Sequence, residues 1–346
     1  MKKMSIIASI VLFVIILAAC GDEKDAKLQV KDSDKKDELL ERAQGLFAVL
    51  PAKAENPENP LTQEKIALGK KLYFDTALSM DGNNSCNSCH NLETYGVDNL
   101  KTSPGDKGEF GNRNSPTVLN AAFHTTQFWD GRAKDVEEQA TGPIVNPVEM
   151  AMPSPEFVVK RLSENEEYRT AFAEVFPEEK ITIKNVGKAI AAFERTLITP
   201  SRFDDYLAGE ATALTDKEKE GLKTFMDTGC ITCHNGSQLG GNMFQKFGVH
   251  KPYWEATGSE VVDEGRFEVT GNESDKYMFK VPGLRNIEKT WPYFHDGSVE
   301  SLDEAVAIMA DVQLNKQLTD EEIDNITAFL KTLTGEVSEE ALMSSN

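Results

Sequence analysis

Cysteine and histidine are scarce in this 346-residue chain, five of each, so every one of them can be accounted for individually. Basic residues are also in deficit: 37 Lys and Arg stand against 57 Asp and Glu, a formal charge of −20. Nucleic-acid binding requires a basic surface and is excluded; a docking partner must be basic or meet a local neutral patch. No strand pattern is sustained enough to build a sheet. The longest apolar run, Ile6 to Leu17, falls short of the roughly twenty residues that a bilayer span needs.

Four of the five cysteines fall in two copies of one pentapeptide, Cys86-Asn87-Ser88-Cys89-His90 and Cys230-Ile231-Thr232-Cys233-His234. Cys-x-x-Cys-His is the signature of covalent c-type haem attachment. Two thiols three positions apart reach the two vinyl groups of one porphyrin, and the adjacent imidazole becomes the proximal iron ligand. Two covalently bound haem c groups are therefore expected, on Cys86, Cys89 and His90 and on Cys230, Cys233 and His234. A zinc ribbon would place its pairs within about twenty residues of each other, whereas Cys86 and Cys230 lie 144 apart. A thioredoxin-like pair or a structural disulfide needs no following histidine.

The fifth cysteine ends a secretory signal. Residues 1–20 run from Lys2 and Lys3 through the apolar stretch to Leu17-Ala18-Ala19-Cys20, a charged start, apolar middle and small-residue cleavage site. Leu-Ala-Ala-Cys resembles a bacterial lipobox, which implies cleavage before Cys20 and a membrane anchor through lipid on it; an uncleaved anchor or an ordinary signal is the alternative. Either places the mature protein in the periplasm or on the cell-envelope exterior. Residues 21–36 are dense in Asp and Lys and are expected to be a solvated tether.

The remainder reads as two related halves. Pro116-x-x-x-Asn120 leads to Phe128-Trp129-Asp130-Gly131, and Pro282-x-x-x-Asn286 leads to Phe294-His295-Asp296-Gly297. Fourteen residues separate Pro from Asp in both, so Trp129 and His295 occupy matching places. Apolar spacing predicts helices over Phe157–Phe176 and Asn185–Thr199. Thr215 and Glu218 form one capping box, and Thr319 and Glu322 another, ahead of Ile323, Ile326, Leu330 and Leu333 on one face with Gly335 as terminator. The expected fold is mainly α, two cytochrome c-like haem domains related by duplication: residues 37–200 and 201–336, joined near Pro200–Ala213, with a tail at 337–346.

From about Leu61 to Gly335 the chain resembles the bacterial di-haem cytochrome c peroxidases, through the strings CNSCHN, NSPTVLNAAF, QFWDGRAKD, GPIVNPVEMAM, AIAAFERTLITPSRFD, GCITCHNG, VTGNE, KVPGLRNI and YFHDGS. The resemblance implies a low-potential peroxidatic haem in the first half and a high-potential electron-accepting haem in the second. Hydrogen peroxide would be reduced to water with electrons from a small cytochrome c or cupredoxin. By the same resemblance Met309 completes the second haem's coordination, with Met243 and Met278 as rivals by position alone. Trp129 lies between the haems, and Glu149 is the distal-pocket acid–base group, a role suited to a carboxylate in a partly desolvated pocket. One Ca²⁺ would be held by Asn114, Thr290 and Pro292, oxygen ligands suited to that ion. The resemblance also allows a homodimer.

One departure stands out. Many family members carry a loop histidine sixteen residues after the first proximal one, capping the peroxidatic iron when oxidised; here that residue is Asp106. As an anion between glycines and Lys107, it is expected to prefer water to the distal pocket. His124 is the other histidine of this half and is expected to be a surface or packing residue; His250 is expected to be structural, and His295 has no assigned role. The alternative function is a di-haem electron carrier, or a related oxidase acting on another substrate.

Overall fold

The computed structural model describes residues 37–343. The signal at 1–20, the tether at 21–36 and Cys20 lie outside them. Leu39–Asn346 is one compact unit; of the preceding unit, Met1–Glu38, only Asp37 and Glu38 are described. Among the described residues no helix is long and apolar enough to cross a membrane.

The fold is built mostly of helices, with one two-stranded antiparallel sheet, β1 (Phe244–Lys246) and β2 (Met278–Lys280). Each half centres on a crossed helix pair. Gln63–Phe74 packs on Ile183–Glu194, and Asp216–Thr228 on Asp320–Lys331. Both crossings depend on glycine: a Cβ on Gly69 would collide with the Ala189 carbonyl, and one on Gly221 with the Asn325 carbonyl. Thr62 caps the first of these helices, and the Thr215 and Thr319 capping boxes both form.

The duplication is visible down to single hydrogen bonds. Asn120 and Asn286 both take positive φ ahead of a short 3₁₀ turn. Their amides donate to Leu197 O and Leu333 O, and their side-chain oxygens accept from Thr199 N and Gly335 N. Both side chains also donate to the same hydroxyl, Thr199 Oγ1, at 2.8 and 2.9 Å. Farther on, Asn114 N donates to His295 O and Lys280 N to Trp129 O. Residues 114 and 280 are equivalent, as are 129 and 295, so the halves meet through one self-complementary contact used twice, the pattern of an isologous interface.

The small sheet was not expected, because its two strands are only three residues each, and three helix expectations also change. Phe157–Phe176 is two helices, Pro155–Glu164 and Glu166–Val175, because the Asn165 side chain accepts from Glu167 N and Tyr168 N and starts the second. The next helix ends at Glu194 rather than Thr199, whose backbone and hydroxyl are taken by the two asparagines. Gly335 is no helix terminator: it bonds Asn286, and a Cβ there would strike the Thr199 and Pro200 carbonyls. The chain ends also cross over. Ala43 and Phe47 pack in the C-terminal core, and Ala341 packs in the N-terminal one.

Candidate functional site

The first motif forms a single helical turn, Cys86–Cys89, closed by a Ser85–Ser88 capping box; His90 follows as its C-cap. Tyr73 Oη donates to the His90 carbonyl at 2.5 Å. Both thiols and the imidazole face a cavity of about 170 Å³, whose wall includes Arg132, Glu149 and Glu194. His90 Nδ1 is buried without a hydrogen-bond partner among the described residues.

The second motif lines a larger cavity, about 260 Å³, together with Met309 from the helix Leu302–Leu314. His234 Nδ1 lies 2.9 Å from the Leu239 carbonyl, which leaves Nε2 free to bind a metal. Met243 and Met278 are not in the wall of this cavity.

The four cysteines among the described residues are free, and burial pushes the thiols up: Cys89 and Cys230 reach about 11. Burial also lowers the pKa of both His90 and His234. No three His, Cys, Asp or Glu side chains among the described residues are grouped to hold a metal ion. In each half two thiols three positions apart and the following histidine line one cavity, a donor set that would suit a porphyrin attached at the cysteines with its iron at the histidine.

Trp129 lines both cavities; its Nε1 donates to the Asn114 carbonyl at 2.9 Å, and its ring stands 6.4 Å from that of His295. Asn114, Thr290 and Pro292 share the wall of the larger cavity. Asn114 Nδ2 donates to Leu100 O, leaving the amide oxygen for a cation. Arg113, in the wall of the smaller cavity, ties the halves, donating to both oxygens of Asp263 at 2.6 and 2.8 Å and to Asp130 at 2.5 Å.

Glu149 is half-buried in the smaller cavity and accepts from Asn146 Nδ2 at 3.0 Å. Burial raises its pKa against the opposing effects of Arg132 and the Asn146 bond.

Asp106 does not face water, as its sequence surroundings suggested. It is buried, and its carboxylate accepts from Asp81 N at 2.7 Å and Asn83 N at 2.9 Å. Burial opposes its ionisation, but those amides outweigh it and hold the carboxyl below its usual range. The side chain is tied away from the cavity, while its amide bonds the Glu149 carbonyl at 2.7 Å.

His124 is no substitute cap, since it lines the C-terminal cavity and not the one holding His90. His250 is exposed and clear of both cavities, whereas His295 is buried within 4.3 Å of the Phe279 ring centroid; neither ring nitrogen is hydrogen-bonded among the described residues, and Nε2 lies 3.8 Å from an Asp263 carboxylate oxygen.

Two cavity-wall residues had escaped notice. Glu194, pushed up to about 8 by burial, stands where the repeat has Leu330; Lys280 stands where it has Asn114. Extending the repeat alignment two residues before Pro116 and Pro282 would have found the second.

A family model described as di-haem cytochrome c peroxidase matches residues 63–212, and one described as cytochrome c matches 218–334. The chain is 50% identical over 289 residues to cytochrome c551 peroxidase of Nitrosomonas europaea, covering 83% of this chain and 84% of that one. It is 48% identical to the Pseudomonas aeruginosa protein of the same name, over 86% of this chain and 87% of the relative. A solved MauG-like protein associated with microbial copper homeostasis superposes with a TM-score of 0.73 at 29% identity, over 86% of this chain and 97% of that one.

Proposed function

This chain belongs to the di-haem cytochrome c peroxidase family, and on that premise we propose that it reduces hydrogen peroxide at the His90 cavity with electrons received through the His234 cavity. The overall change is H₂O₂ with two electrons and two protons giving two waters. The haems, when bound, supply the one-electron iron chemistry. The chain supplies proton handling, alignment and separation of the two centres.

The observation that carries this reading is Glu149. It is a half-buried carboxylate in the wall of the cavity that holds Cys86, Cys89 and His90. Its Asn146 bond fixes one oxygen and leaves the other free to take a proton from one peroxide oxygen and return it to the departing one. No second histidine lines this cavity, and the one substituted position, Asp106, is turned elsewhere. Met309, in the wall of the same cavity as His234, would give the other site a thioether, which raises an iron potential and suits an electron-accepting centre. Trp129, in the wall of both cavities, offers an aromatic route between them.

A Ca²⁺ bound through Asn114, Thr290 and Pro292 would brace the same wall. The functional division follows residues 37–200 and 201–336 with a short tail at 337–346, although Ala43 and Phe47 pack in the second core and Ala341 in the first. The donor is a small cytochrome c or a cupredoxin meeting a strongly acidic protein, and the oligomer a homodimer. Export to the periplasm, with lipid on Cys20, rests on residues 1–20 alone.

The test is peroxide-dependent oxidation of a reduced small cytochrome c by the holoprotein, with haem counted as pyridine haemochrome. Multiple turnovers with two haems per chain are expected. Two haems without peroxide-dependent oxidation of either a cytochrome or a cupredoxin would contradict the reading.

A further inference from the structure

Lys280, the last residue of β2, is 6% exposed. Its ammonium donates to Thr126 O at 3.1 Å and lies 3.3 Å from His124 Nδ1. Both partners are uncharged: burial, and then Lys280 itself, hold His124 well below its ordinary pKa. The carboxylate that most favours the ammonium, Asp130, is already engaged by Arg113 and Arg132. Burial lowers the Lys280 pKa to about 8, which still leaves it mostly protonated at neutral pH.

A buried ammonium without a counter-charge is strongly unfavourable unless an anion shares its pocket. Lys280 and His124 line the same cavity as Cys230, Cys233 and His234. The anionic groups of a haem are its two propionates. The fold itself does not require the charge, because the equivalent residue in the first half is the neutral Asn114, which makes the same backbone bond. His124 reaches this pocket from the other half, and a Cβ on Gly241 or Gly283 would crowd its ring.

We propose that Lys280, held by His124 and Thr126 from the first half, is the cationic anchor for a propionate of the haem bound at Cys230, Cys233 and His234, and that it holds that haem's potential up. The proposal rests on the reading that a haem occupies this cavity. A nearby positive charge disfavours the ferric state, which carries one more positive charge than the ferrous. The first half places Asn114 at the same point, so the charge acts on one haem of the two.

The test is a spectroelectrochemical titration of purified holoprotein, wild type against Lys280→Met. One midpoint should fall by about tenfold in its redox equilibrium, about 59 mV for one electron, while the other holds, and Lys280→Arg should recover most of the shift. If Lys280→Met does not fold, Lys280→Gln takes its place with the same expectation. Two unchanged midpoints in the neutral variant would overturn the anchor. A wild-type haemochrome count of one haem per chain would instead overturn the premise, so the two failures are distinguishable.

Discussion

Glu149→Gln is expected to lower peroxide turnover by about a hundredfold or more, with both haems retained, the usual scale for losing general acid–base catalysis. A hundredfold corresponds to about 2.7 kcal/mol of barrier. The substitution is nearly isosteric and keeps an oxygen for the Asn146 bond, so the loop from Asn146 to Met150 should keep its place. What the amide cannot do is accept a proton and return it. Burial in the His90 cavity already biases the carboxyl upward, toward the working pH. Steady-state turnover with the haem count checks this. Turnover within about a factor of three of the parent would remove Glu149 from the mechanism.

Arg285→Met is expected to cost about 3–5 kcal/mol of stability, the range for breaking a buried ion pair by deleting one partner. Arg285 donates to both oxygens of Asp204, at 2.7 and 2.8 Å, and the two side chains are 2% and 5% exposed. Its Nε also donates to Ser237 O in the loop that follows His234, so the pair fastens the second haem's proximal loop to the core. Burial alone would raise the Asp204 pKa, but Arg285 and the amides of Leu50 and Ser201 outweigh it and lower it. A carboxylate depressed in the folded state contributes stability at neutral pH and loses it as pH falls through its folded-state value, below about 3.9. In the variant Asp204 is left buried without its partner, so acid relieves it. Urea unfolding at several pH values should show the gap between the two proteins narrowing toward acid; a gap constant with pH would contradict the assignment.

The elements read most readily from sequence are those set by local chemistry. The haem pentapeptides, the Thr215 and Thr319 capping boxes and the Pro-to-Asp repeat all have their signals within a few residues. The repeat carried furthest, since it anticipates the matching of Trp129 with His295 and, one step on, of Asn114 with Lys280. The misreadings came from partners distant in sequence. Asp106 looks solvent-seeking between glycines, yet the amides of Asp81 and Asn83 draw it inward. His124 is the packing residue expected, although the cavity it packs in belongs to the second half, where two glycines leave room for its ring. Gly335 reads as a helix stop but serves the close approach of Thr199 and Pro200.

The peroxidatic site is expected to be open at rest, because the residue at position 106 is an aspartate bonded to the 81–83 turn and no second histidine lines the His90 cavity. A two-state switch of ligand would then be unnecessary, and peroxide could react without prior reduction of the second haem. Electron paramagnetic resonance of the fully oxidised holoprotein tests this most directly. A high-spin ferric signal from one haem beside a low-spin signal from the other is the result expected; two low-spin signals with no high-spin component would contradict it.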